Sequence, residues 1–234
     1  MRLKKSISTL LFYLIIVLFF LSATYLGSTA TTTIAQMIPL ERQNTVVIDA
    51  GHGDPDGGAI SCTGKAESTY NLEVAGRLND LLHLLGIHTK MIRTTDSSVY
   101  TQGETIASKK VSDLRNRVNL VNKIDNALLL SIHQNTFTDS RYSGAQVFYA
   151  TKGESQLLAE QLQSSFCQTV NPGSNRKAKR GEGIYLLDKI EKTGVLIECG
   201  FLSNVEEEAK LSNPEYQKKI CCVIAATVGQ FLTK

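Results

Sequence analysis

No aspartate or glutamate occurs before Glu41, although Arg2, Lys4 and Lys5 stand at the start of the chain. Setting those three aside from the 25 basic residues leaves 22, against 22 acidic ones, so the remainder is close to neutral. A near-neutral body lacks the basic face that nucleic-acid binding requires. One basic knot survives, Arg176 to Arg180 (RKAKR), and it reads as a solvated loop or as a surface for acidic groups. The five cysteines include no CxxC pair and no Cys/His finger spacing, which excludes a structural zinc ribbon or finger. Their odd number and the adjacent Cys221 and Cys222 argue against a disulfide framework and for buried reduced thiols. No internal repeat is visible.

Long apolar runs are confined to one place. From about Ile7 to Leu26 the sequence is apolar behind its basic start, the pattern of a signal peptide or a signal-anchor that leaves the bulk of the chain exported. Residues 1–27 are assigned to that segment and 28–44, Thr-rich and without period, to a linker. The remainder, 45–234, suffices for one core and is short for two.

In that remainder strands and helices alternate. TVVID, IHTKMIRT, NALLLSIH, AQVFYA, GIYLL and GVLIECG read as strands. The stretch from Ser68 to a stop at Gly86 reads as a helix, as do a second opening on Ser112–Asp113 with Leu114, Val118 and Val121 on one face, a third from Glu154 to Val170, and a closing helix from Pro214. The alternation predicts a single α/β domain with a central mixed, largely parallel sheet and helices on both faces.

In such sheets polar function collects at the carboxyl ends of strands. Three strand ends carry it: VVIDAGHG delivers His52, LLLSIHQN delivers His133 and Asn135, and GVLIECGF delivers Glu198. His83 and His88 fall in a helix and at a strand start and are read as structural. A lone strand-end histidine is usually an ordinary polar residue. Two of them with a carboxylate form a zinc-type donor set. Gly51, Gly53, Gly57 and Gly58 would let the backbone turn sharply and come close to a metal or substrate. Glu67, at the start of the first helix, is the nearest acidic candidate. Glu73 lies about 1.7 turns further on and should point elsewhere. Asp49 is a candidate to orient a ligand imidazole or to cap the glycine turn, and Asn135 to orient substrate or hold its loop. Arg93 and Asp96 read as a local turn pair. Cys199, next to Glu198, should face the core.

The stretches VVIDAGHG, TGKAES, LLLSIHQN and VLIECGFLSN, in that order, resemble the type 3 family of zinc-dependent N-acetylmuramoyl-L-alanine amidases, most of all its spore-cortex, germination-specific branch. The resemblance spans about Thr45 to the C-terminus. It implies that His52, Glu67 and His133 bind one Zn²⁺, that Glu198 is the catalytic carboxylate, and that peptidoglycan is the substrate. Asp54 stands where the family often has glycine, and Thr193–Gly194 where it often has proline. No wall-binding repeat is attached, so targeting falls to the N-terminal segment at the membrane or to a helper protein. Another zinc-dependent peptidoglycan peptidase, or an inactive wall-binding relative, would share the same donor set.

Overall fold

The computed structural model describes residues 44–233, together with Leu18 and Ser22. Apart from those two residues, the predicted signal or anchor segment therefore lies outside the described residues, as does the linker but for Asn44. The chain divides into two compact units, 1–43 and 44–234. Among the described residues no helix is long and apolar enough to cross a membrane.

The second unit is built on a six-stranded sheet. Its strands are β1 (Thr45–Ala50), β2 (Thr89–Met91), β3 (Ala127–Asn135), β4 (Gln146–Tyr149), β5 (Lys179–Arg180) and β6 (Thr193–Phe201), in spatial order β2-β1-β3-β6-β4-β5. All pairings are parallel except β4 with β6. The helices are α1 (Glu67–Leu84), α2 (Ile106–Asn122), α3 (Ser155–Thr169), α4 (Tyr185–Lys189), α5 (Val205–Leu211) and α6 (Pro214–Leu232). The central strands are apolar on both sides because both sides are covered. Val46, Ile48 and Leu130 pack with α1, α3 and α6 residues such as Leu78, Leu162 and Ile224. Val47, Leu129 and Leu196 pack with Val118 and Val121 of α2 and Leu187 of α4 on the opposite face. The single mixed α/β domain anticipated from the alternation is what forms.

Several local expectations fail. Helix α2 does not open at Ser112–Asp113 but two turns earlier. Thr105 caps it in a reciprocal box with Ser108, and Ser112 Oγ instead accepts N–H bonds from Thr101 and Gln102. The GIYLL stretch is not a strand: Gly183 turns at φ 78° and the chain enters α4, burying Leu186 and Leu187. The strand expected over IHTKMIRT is only three residues long. Edge strand β5 falls within the basic knot, where exposed Lys179 and Arg180 discourage further strand pairing. Of the cysteines, Cys199 and Cys221 are buried, Cys167 is half-buried, and Cys62 and Cys222 are exposed. All five are free thiols.

Candidate metal centre

Strands β1 and β3 are paired in register through Ala50 and Ile132, so both release their next residues at the same edge of the sheet. His52 and His133 emerge there with ring centroids 5.1 Å apart and planes at 74°. Glu67, the first residue of α1, lies between them. Its Oε2 is 3.3 Å from His52 Nε2 and its Oε1 is 3.0 Å from His133 Nδ1. One donor atom from each of the three lies within 4.8 Å of the others. Glu73 is not part of this group and instead meets Lys65 at 2.8 Å and Gln217 at 2.9 Å.

Glycine makes the approach possible. A Cβ on Gly51 would stand 2.2 Å from the His133 ring, and one on Gly58 2.6 Å from Glu67 Oε2 and 2.8 Å from His52 Cδ2. His52 itself is left-handed, with φ 61°, which is uncommon for a residue with a side chain.

Two buried guanidinium groups hold that turn. Arg117 donates to the carbonyls of Ala50 (2.9 Å) and His52 (2.6 Å), and Arg93 to those of Ala50 (2.7 Å), Gly51 (2.9 Å) and Ser68 (2.8 Å). Asn71 adds a bond to Gly51 O. Arg93 is thus not chiefly a turn partner of Asp96: it is 4% exposed, and Asp96 lies 3.5 Å away. Asp49 is engaged by Arg117 and by the Ser131 hydroxyl at 2.6 Å. Burial pushes its carboxyl up, but Arg117, Ser131 and His133 outweigh that and hold it below the usual range. Asn135 offers its carbonyl to the Leu202 N–H at 2.8 Å, where β3 and β6 shift register. The other two histidines are exposed, His83 bonding Thr89 and His88 bonding Thr45.

Glu198 pairs with His133 in register across β3 and β6. Its Oε2 is buried with no hydrogen-bond partner among the described residues. Burial, with a further push from Glu67 against a pull from His133, raises its pKa to about 7. Glu67 moves the other way: burial is outweighed by His133, His52 and the Ala59 N–H, which lower it to about 2. Burial depresses His52, whereas in His133 the Glu67 contact outweighs burial and raises the pKa. Cys199 is fully buried and its thiol is pushed far up, so it is inert. A cavity of about 210 Å³ opens beside the histidines, bordered by Lys110, Leu114, Ile184 and Tyr185. A larger, polar hollow of about 560 Å³ near Arg141, Asn171 and Lys210 shares no residue with the cluster.

Two imidazoles and a carboxylate are donors that suit zinc. Ligand atoms about 2.0–2.1 Å from a tetrahedral zinc lie about 3.3 Å apart. The 3.0 and 3.3 Å contacts between the imidazoles and Glu67 are of that size. The residues present therefore fit the ion.

The model of the N-acetylmuramoyl-L-alanine amidase family matches residues 46–230. The germination-specific N-acetylmuramoyl-L-alanine amidase of Bacillus subtilis is 38% identical over 192 residues, 81% of this chain and 80% of that protein. The CwlD amidase from Clostridioides difficile, solved in complex with the GerS lipoprotein, superposes with a TM-score of 0.77 at 34% identity, covering 81% of this chain and 98% of that one. An N-acetylmuramoyl-L-alanine amidase from Clostridium difficile 630 gives 0.71 at 29% identity, covering 82% and 97%. The chain belongs to the N-acetylmuramoyl-L-alanine amidase family, hydrolases of the amide that joins N-acetylmuramic acid to the L-alanine of the peptidoglycan stem peptide.

Proposed function

We propose that this amidase holds one Zn²⁺ through His52, Glu67 and His133, that Glu198 moves the proton, and that the enzyme acts on spore-cortex peptidoglycan. The observation that carries the chemical reading is the unpartnered Oε2 of Glu198 beside the two-histidine, one-carboxylate cluster.

Bound zinc would supply an acidified water and a polarised carbonyl at neutral pH. The protein's own groups do the rest. Glu67, ionised well below neutrality, supplies negative charge between the imidazoles. Glu198, raised towards 7, can take a proton from the attacking water and return it to the departing alanine nitrogen. The glycines at 51 and 58 keep Cβ atoms out of the space the ligands share. The products are a glycan carrying a free lactyl carboxylate and a stem peptide with a free N-terminal alanine. Mass spectrometry of muropeptides before and after incubation tests this, and a new terminus inside the stem peptide would instead mean a peptidase.

The cortex assignment rests on the 38% identity to the germination-specific enzyme. Deleting the gene in a spore-forming host should spare vegetative growth and impair germination, and normal cortex muropeptides in the mutant would refute it. Export follows from the basic start and apolar run at the N-terminus, which would place the enzyme on or beyond the membrane. A helper protein is proposed by analogy with the complex of the C. difficile amidase and its lipoprotein.

A further inference from the structure

His52 is held from two directions, and only one of them is its backbone. Its Nδ1 lies 3.0 Å from Asp56 Oδ2. The same oxygen meets Lys110 Nζ at 2.9 Å, while Asp56 Oδ1 accepts the Gly58 N–H at 3.3 Å. Asp56 is brought back to His52 by a tight turn, in which Gly53 and Asp56 exchange both backbone hydrogen bonds at 2.9 Å. Lys110 sits on α2, one turn before Asp113 and two before Arg117, so one helix face reaches the carbonyl of His52 directly through Arg117 and its ring indirectly through Asp56.

We propose that Asp56, braced by Lys110, is a positioning residue for His52: it accepts the Nδ1 proton and so keeps the Nε2 lone pair turned towards Glu67 and the metal. This inference rests on the zinc reading above. The physical case is local. An isolated neutral imidazole can carry its proton on either nitrogen, and a ring on a two-bond side chain can rotate away from a ligand position. A carboxylate at Nδ1 fixes both the tautomer and the rotation, and it makes Nε2 a better donor. His52 needs that brace more than His133 does. It leaves the sheet in a left-handed conformation within a glycine-rich turn, whereas His133 is still within β3. Asp56 in turn would have several rotamers in reach. Lys110 and the Gly58 N–H between them occupy both of its oxygens and leave one.

The test uses the full-length chain, with zinc and cobalt as probes. Zinc affinity is read by competition with a chromophoric chelator, and ligand geometry by the visible absorption of the Co²⁺ form. Asp56→Ala should weaken zinc about 10–100-fold, the range for loss of a ligand-orienting partner, and alter the cobalt bands. Asp56→Asn keeps an acceptor oxygen and should stay within about tenfold of wild type. Lys110→Met removes an exposed brace and should cost only a few-fold. The melting temperature of the metal-free chain should be nearly the same in all four proteins. Zinc binding within about threefold of wild type in Asp56→Ala, with unchanged cobalt bands, overturns the inference. So does an equal fall in metal-free stability in Asn and Ala, which would mark a merely structural role. If Asp56→Ala does not fold, Asp56→Ser, whose hydroxyl is too short to reach Nδ1, takes its place, and zinc binding within about threefold of wild type with unchanged cobalt bands overturns the inference. A wild-type chain that takes up no zinc removes the zinc reading and this inference together, whereas a zinc-binding wild type matched by Asp56→Ala removes the inference alone.

Discussion

Glu198 and His133 face each other across adjacent strands, and their environments push both towards the protonated form. Zinc needs the opposite: a neutral imidazole and, for catalysis, a free carboxylate. Metal binding at about pH 6.5 should therefore release protons, and zinc affinity should fall as the pH drops. Calorimetric zinc titrations in two buffers of different ionisation enthalpy check this, and identical heats in both would refute it. The roles of the two carboxylates separate by substitution. Glu198→Gln keeps size and hydrogen bonding but cannot accept a proton. Zinc content and melting temperature should change little, while kcat falls by about two to four orders of magnitude. A collapse of zinc affinity would make Glu198 a ligand instead. Gly58→Ala, by contrast, should lose metal, because its Cβ would enter the space of Glu67 and His52 and φ 71° resists a side chain.

At the scale of elements, the turn after β1 is where sequence and structure part company. The central strands were legible because burial on both faces writes itself as an unbroken apolar run, and α1 because it repeats at three and four residues up to Gly86. The two histidines, Glu67 and Glu198 were legible as residues at element ends. The clamp behind them was not. Arg117 lies on the stripe of Leu114, Val118 and Val121, and a charge on an apolar stripe was the one available signal that something buried needed it. Arg93 gave no such signal, since beside its local contacts with Thr95 and Asp96 its partners are the backbone carbonyls of Ala50, Gly51 and Ser68, which no local pattern encodes. α4 and β5 are too short for periodicity to speak. Replacing Arg117 by Met would leave Asp49 and Asp113 buried without their cation, a change that costs about 3–5 kcal/mol in comparable sites. Urea melts should show that loss at pH 7, with Asp49→Asn in the same chain recovering part of it. The sign with pH follows from Asp49. Its folded pKa is lowered, so its contribution is present above the ordinary value of 3.8 and disappears as pH falls through the folded value. Wild type and Arg117→Met should therefore converge in acid, and a gap that persists undiminished down to pH 2 would assign the stability to packing instead.

For the molecule as a whole, the division at Gln43 and Asn44 has a functional consequence. Every residue assigned to metal, proton transfer or positioning, and both hydrophobic clusters, lie after that boundary. The first strand of the sheet lies after it too, since β1 begins at Thr45 and is paired on both sides, by β2 and β3. The two clusters are built from residues after that boundary, and the export role proposed for the first 43 residues rests on their composition. A chain trimmed to 44–234 should thus keep the melting temperature, zinc content and kcat of the full-length protein on soluble muropeptides. If the N-terminal residues direct export as proposed, the two should differ on intact sporulating cells, the trimmed chain staying where it is made. Limited proteolysis of the full-length chain should arrive at the same boundary, because exposed connections are cut before packed elements. A stable fragment ending inside β1 to α1, or a trimmed chain that melts more than a few degrees lower, would mean that the N-terminal residues belong to the fold.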